Sequence, residues 1–296
     1  MKTYSFLSES LQPQQYKFLG CNCNYEQSKI VLFGTPFDST SSFKSGQKFA
    51  PAEMRNLSKW CIESYSEILQ DDLKNNLIFD AGDLDLKNIS IKQSFQLIYN
   101  TTLEIASDKK IPFMIGGNHS VTYPSVLALF KLYPDLCVIH FDAHADLSYT
   151  LDGSKYSHGC VMMRCYEKLG QNRIFQFGIR SCSAEEMNFI RSGNVYTEMR
   201  DSKTLINKIQ EIGNKPVYIT VDLDILDPSI FPGTGTPEAG GYSYNKLLKP
   251  ILLCINNCNV IGMDNVELLP SNDKSDNSTV VACKLLREEL LSLSRG

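Results

Sequence analysis

Seven short apolar runs, each closed by Gly or Asp, limit what this chain can fold into: Ile30–Phe33, Leu77–Phe79, Ile111–Ile115, Leu136–Phe141, Ile174–Phe177, Val217–Val221 and Val260–Met263. They are rich in β-branched and aromatic residues and show no polar alternation, the pattern of strands buried on both faces in a parallel sheet. Between them lie segments with helical spacing: Ser94–Ile105, Val121–Leu132, Ala184–Ile190, Leu205–Ile212, Tyr244–Cys258 and Thr279–Leu293. Seven or eight strands alternating with helices predict one parallel sheet sandwiched between helical layers. The chain shows no internal repeat and no low-complexity linker, so its 296 residues are read as a single domain, with polar Ser271–Ser278 a loop within it.

With 29 Lys+Arg against 33 Asp+Glu, interspersed, the chain offers no basic face for nucleic acid or anionic lipid. No stretch approaches the ~18 continuous apolar residues of a membrane span. The start, MKTYSFLSESLQPQQYKF, lacks an apolar leader core, so a cytoplasmic protein with a small-molecule partner is expected. Ten cysteines without a C-x-x-C pair read as reduced, mostly buried thiols, Cys21 and Cys23 included.

Parallel sheets bind ligands beyond the carboxyl ends of their strands. There the chain carries Gly116-Gly117-Asn118-His119-Ser120, Asp142-Ala143-His144-Ala145-Asp146, Asp222-Leu223-Asp224 and Asp264-Asn265-Val266-Glu267. In extended backbone, residues i, i+2 and i+4 share a face, so Asp142, His144 and Asp146 point together, as do Asp222 and Asp224. Four crowded carboxylates repel unless cations lie between them. Four Asp and two His suffice for two metal ions, and a mixed carboxylate and imidazole set favours Mn, Zn, Fe or Ni over Ca or Mg. His140 is read as lying on the opposite face of its strand, in a structural or supporting role.

Other readings fail on the residues. Gly233-Thr234-Gly235-Thr236-Pro237-Glu238 has Glu where a dinucleotide fingerprint needs its third Gly, and no G-K-[ST] follows any glycine loop. Gly82-Asp83, Gly117-Asn118-His119 and Asp142-x-His144 look like metallophosphoesterase pieces, but their order is wrong and four His are too few.

Taken together, Gly116-Gly117-x-His119-Ser120, Asp142-Ala143-His144-Ala145-Asp146, Ser157-His158-Gly159, Asp222-x-Asp224-x-x-Asp227-Pro228, Pro232 through Glu238, and Glu267 resemble the ureohydrolases, the arginase/agmatinase superfamily. The resemblance runs from Pro36-Phe37-Asp38 through Gly46 and Pro51 to Glu267. It implies an arginase-like three-layer α/β/α sandwich with a central eight-stranded parallel sheet and two Mn2+ per subunit. One ion would take His119, Asp142, Asp146 and Asp222; the other would take His144, Asp142, Asp222 and Asp224. A water shared by two ions is acidified towards neutrality and can attack a guanidinium carbon. By the same resemblance Asp146 relays a proton to the leaving amine, His158 is a proton shuttle and Glu267 binds the guanidinium. The family usually has an acidic residue at the position of Asn118; as a neighbour of the metal ligands, Asn would accept a hydrogen bond but add no charge.

Pro36 through Gly46 with Pro51 and Arg55, Tyr156-Ser157-His158-Gly159 and Glu238 look like the agmatinase branch. The loop from Leu147 to Lys155 lacks the Asn/Thr/Ser-rich pattern with which arginases hold an α-carboxylate, and Asp152 or Glu238 is available to a distal ammonium. The expected reaction is hydrolysis of agmatine to putrescine and urea, a step of polyamine biosynthesis. Arginine, guanidinobutyrate and other guanidino acids are the alternatives; a related amide hydrolase or a non-catalytic homologue is more remote. The resemblance also implies a homo-oligomer, trimer or hexamer.

Overall fold

The computed structural model describes residues 10–295; the leader reading of the first residues concerns a stretch of which residues 1–9 lie outside the described part. Among the described residues nine strands form the main sheet: β1 (Leu11–Gln12), β2 (Ile30–Gly34), β3 (Ile78–Leu84), β4 (Ile111–Ile115), β5 (Cys137–Phe141), β6 (Ile174–Ile179), β7 (Tyr196–Met199), β8 (Pro216–Asp222) and β9 (Asn259–Val266). Their spatial order is β1-β3-β2-β4-β9-β8-β5-β6-β7. Eight are parallel, as expected, but the sheet has a ninth: β1 pairs antiparallel with β3 through Leu11 and Gln12. A two-residue strand can cap an edge without an apolar run of its own. A separate small hairpin pairs Tyr65–Ser66 with Asp71–Asp72.

The helices are α1 (Ala50–Cys61), α2 (Ile91–Ser107), α3 (Thr122–Leu132), α4 (Val161–Leu169), α5 (Ala184–Arg191), α6 (Leu205–Ile212), α7 (Tyr244–Asn257) and α8 (Asn277–Arg295). Successive strand residues point to opposite faces, and the core divides accordingly. Ile30, Leu32, Phe113, Ile139 and Ile219 pack with Met54 of α1, Ile209 of α6, Leu247 of α7 and Leu286 of α8. Val31, Phe33, Met114, Val138 and Tyr218 face α2, α3 and α4 through Ile98, Val126 and Val161. Three layers result. Helix starts are set locally: Ser90 with Gln93 and Ser183 with Glu186 form reciprocal capping boxes, and Pro51 sits in the first turn of α1.

One ionic cluster joins a helix to the sheet. Arg55 of α1 is 1% exposed and donates to both oxygens of Asp80, at 2.8 and 2.9 Å, to Asp83, and to the carbonyls of Gly82 and Pro51. All ten cysteines are free, and six are buried. Among the described residues no helix is long and apolar enough to cross a membrane.

Candidate metal centre

Four adjacent central strands, β4, β9, β8 and β5, deliver the site from the loops at their carboxyl ends. Chain order changes direction here, since β8 and β9 are inserted between β4 and β5, which makes this a topological switch point. Gly117 lets the β4 loop pass close to the β2 loop: a Cβ there would lie 1.8 Å from the carbonyl oxygen of Phe37.

His119 opens a 3-10 turn, His119–Val121, and is fully buried. Its Nε2 lies 3.0 Å from the Thr220 hydroxyl, and its Nδ1 faces Asp142, Asp146 and Asp222 at 3.2, 3.0 and 3.2 Å. That Nδ1 makes no hydrogen bond despite its burial. Such an atom normally finds a partner. If Nε2–H donates to Thr220, the Nδ1 lone pair points at three carboxylates, an arrangement that repels unless a cation separates them. The second cluster abuts the first: His144 Nδ1 lies 2.9 Å from Asp224 and 3.6 Å from the other oxygen of Asp142. One ligand atom each from Asp142, His144 and Asp224 falls within metal-sharing reach, as does a group of His119, His140, Asp142 and Asp146. These His and Asp side chains are suited to a binuclear metal site.

His140 differs from expectation. It shares the face of Asp142, as i and i+2 in a strand must. Its Nε2 lies 2.7 Å from Asp142 Oδ2 while Gln176 Nε2 lies 3.0 Å from its Nδ1. With both nitrogens engaged it orients Asp142 and has no lone pair for a metal. Burial, the largest influence, lowers its proton affinity and keeps it neutral.

The electrostatics reveal a deficit of positive charge. Burial, then the neighbouring Asp224 and Asp142, push Asp222 well above the carboxylate range, and burial with Asp142 pushes Asp146 up to about 6. Burial opposes protonation of His119, but Asp142, Asp146 and Asp222 outweigh it and raise its proton affinity strongly. Protons therefore collect where the protein's own charges leave an excess of negative potential. Divalent cations would neutralise it without them.

Glu267 and His158 border this centre. Glu267, just after β9, and Asp146, in the loop after β5, have left-handed backbone, φ 65° and 52°, a costly conformation for such residues. Glu267 accepts from the His119 backbone N–H at 2.8 Å and from the Gln47 amide at 2.9 Å, and burial pushes its pKa up to about 7. His158 Nδ1 is 3.7 Å from Glu267, and its Nε2 is 2.7 Å from the Ser42 hydroxyl. A cavity of about 220 Å³ lies over the centre, lined in part by Ser42, His144, Asp146, His158, Glu186 and Thr236.

Asn118 is not beside the metal ligands. Its backbone is extended, so its side chain points away from that of His119, into hydroxyls of the β2 loop. Asp152 and Glu238 do not line the cavity; Asp152 is exposed, and it is the backbone carbonyl of Glu238 that accepts from Arg180 at 2.9 Å. Sequence spacing gives no signal for Arg180, whose guanidinium donates to the carbonyls of Asp224 and Ile225 at 2.8 and 3.1 Å and so fixes the loop carrying Asp224. The same holds for Thr220, Gln176 and Gln47, because single polar residues in apolar runs or loops carry no spacing signal.

Residues 28–292 match the sequence model of the arginase family. The chain belongs to the arginase family. An agmatinase of Halalkalibacterium halodurans is 37% identical to this arginase-family chain over 276 residues, 93% of this chain and 95% of that one. A solved structure from Clostridium difficile has a TM-score of 0.89 at 44% identity, covering 92% and 99% of the two chains. Agmatine ureohydrolase of Thermoplasma volcanium has a TM-score of 0.85 at 33% identity, over 98% of this chain and 97% of that one. This member of the arginase family is a hydrolase acting on guanidino C–N bonds.

Proposed function

We propose that the protein hydrolyses agmatine to putrescine and urea with two Mn2+ ions. His119, Asp142, Asp146 and Asp222 would hold one ion, and His144, Asp142, Asp222 and Asp224 would hold the other. The observation that carries the metal reading is the buried His119 Nδ1, without a hydrogen bond and ringed by three carboxylates. When bound, two divalent ions supply a water acidified towards neutrality. The chain's own residues do the rest. Thr220 holds the His119 ring, His140 holds Asp142, and the backbone N–H of Asp224 donates to Asp222 at 2.9 Å, so the carboxylates are fixed before a ligand arrives. Glu267 receives the planar guanidinium through charge-assisted hydrogen bonds. Asp146 passes a proton to the leaving amine, and His158, connected to the exposed Ser42 hydroxyl, exchanges protons with solvent.

Agmatine is favoured over arginine because the loop from Leu147 to Lys155 lacks the Asn/Thr/Ser-rich pattern that holds an α-carboxylate, and because the charged side chains among the described lining residues are the acidic Asp146 and Glu186, which suit a second cationic end of the substrate. Urea release from agmatine, arginine and guanidinobutyrate after Mn2+ loading tests the reading. Agmatine should be the best substrate, and the absence of urea from all three would sink the proposal. His158→Asn should lower turnover by roughly 10² to 10⁴ with metal content intact. Loss of metal in that variant would refute the shuttle assignment.

A further inference from the structure

We infer that Asn118, Ser41 and Gln47 form one directed hydrogen-bond chain that positions the Glu267 carboxylate for its cationic substrate. The inference rests on the reading of Glu267 as the guanidinium-binding group. It also gives a use to Asn118, the position where this chain departs from the acidic residue usual in its family.

The direction of the chain follows from counting hydrogens. The Asn118 amide has two: one goes to Thr40 Oγ1 at 2.8 Å and the other to Ser41 Oγ at 3.1 Å. Thr40 Oγ1 lies 2.8 Å from Ser120 Oγ, which donates to Asn118 Oδ1 at 2.8 Å, so those three side chains close a ring in which every hydroxyl proton is spent. Ser41 accepts from Asn118, and its own proton is left to donate onward to Gln47 Oε1 at 3.3 Å. With Oε1 held, Gln47 Nε2 faces two acceptors, the Lys44 carbonyl at 3.0 Å and Glu267 Oε2 at 2.9 Å. The other oxygen of Glu267 is held by His119 N–H.

Each end of the Glu267 carboxylate therefore has a separate anchor, one from the metal loop and one from the β2 loop. This matters because the residue's left-handed backbone does not fix the side chain by itself. Gly235 leaves room for the contact: a Cβ there would stand 2.6 Å from Gln47 Nε2. A carboxylate at position 118 would reverse the chain. It has no hydrogen to give, so the Thr40, Ser41 and Ser120 hydroxyls would all turn towards it. Ser41 would no longer donate to Gln47, and the amide would be free to turn its oxygen against Glu267. Asn118, Ser41 and Gln47 are thus positioning residues acting through Glu267, which they reach by successive hydrogen bonds.

The experiment uses the full Mn2+-loaded chain and measures kcat, KM and metal content for agmatine hydrolysis in Ser41→Ala, Gln47→Leu, Asn118→Asp, the double variant S41A/Q47L, Ser41→Thr and Glu267→Gln. One hydrogen bond to a charged group corresponds to about a tenfold change or more, so S41A, Q47L and N118D should each raise KM about tenfold, with a smaller effect on kcat and unchanged metal. S41A/Q47L should be no worse than the stronger single variant, and S41T, which keeps the hydroxyl, should restore KM. Independent, additive effects of S41A and Q47L would overturn the chain. So would wild-type KM in both when E267Q raises KM, a result that leaves the role of Glu267 standing. Wild-type KM in E267Q would instead overturn the guanidinium-binding role, and this inference with it.

Discussion

Asp222→Asn should make the metal-free protein more stable and the metal-loaded protein less stable than wild type. Asp222 is buried, and burial together with Asp224 and Asp142 raises its folded-state pKa well above that of an unfolded Asp. The folded state then binds more protons than the unfolded state, and stability falls as pH rises above about 4, the unfolded value. At pH 7 the metal-free fold must hold either an unfavourable charge or a proton taken from solvent. Asn removes both costs and still offers an oxygen to the Asp224 N–H. The gain is ~1.4 kcal/mol for every tenfold change in proton affinity that is relieved. Mn2+ reverses the order, because a ligand bound only by the folded state adds about 2.7 kcal/mol at a hundredfold excess over its Kd. Loss of a carboxylate assigned to both ions should remove most of that gain and lower urea release on the order of a thousandfold. Thermal unfolding of both proteins with chelator and with Mn2+ is the check. A variant less stable than wild type in chelator, or equally stabilised by Mn2+, would contradict the assignment.

Arg55→Met should destabilise the fold by roughly 3–5 kcal/mol, because it leaves charges of opposite sign to Arg without a partner in the interior. Both carboxylate oxygens of Asp80 and one of Asp83 receive its guanidinium, with Asp80 almost fully covered. Arg55→Lys should recover only part of the loss, since one ammonium cannot span two carboxylates and two carbonyls in the same plane. Urea unfolding midpoints at constant slope measure both. A loss below ~1 kcal/mol in Arg55→Met would show that the cluster does not hold α1 to β3.

The parts of this molecule that were legible in its sequence are those whose cause is local or periodic. Six buried strands announce themselves because burial on both faces forces an apolar run, whereas β3 shows only its first residues that way, since Asp80 and Asp83 inside it pair with Arg55. The acidic and imidazole residues stand out because they follow those runs. β7 went unseen since Tyr-Thr-Glu-Met lies at the sheet edge and is partly exposed, which relaxes the apolar demand. α1 carries a weak apolar signal, since its buried residues include Arg55 and Ser58 beside Met54. Strand periodicity puts His140 on the face of Asp142, and the structure agrees, against the expectation of the opposite face. Gln47 and Arg180 depend on contacts across 220 and 44 residues of chain, to Glu267 and to the Asp224 carbonyl, and no local pattern encodes such reach.

The position of β8 and β9 in the middle of the sheet has a consequence for how the molecule is assembled. They are the last two strands in the chain, yet they stand between β4 and β5. During synthesis from the amino end, the earlier strands can form two half-sheets, each ending in an apolar edge with open backbone groups. Those edges wait for residues 216–266. Exposed edges of this kind are templates for pairing with other chains, so a nascent or truncated chain ending before β8 should aggregate. The same late insertion brings Asp222, Asp224 and Glu267 to His119 and Asp142. Closing the sheet and assembling this His and Asp cluster are therefore one event, and a chain that has not finished folding lacks the complete cluster.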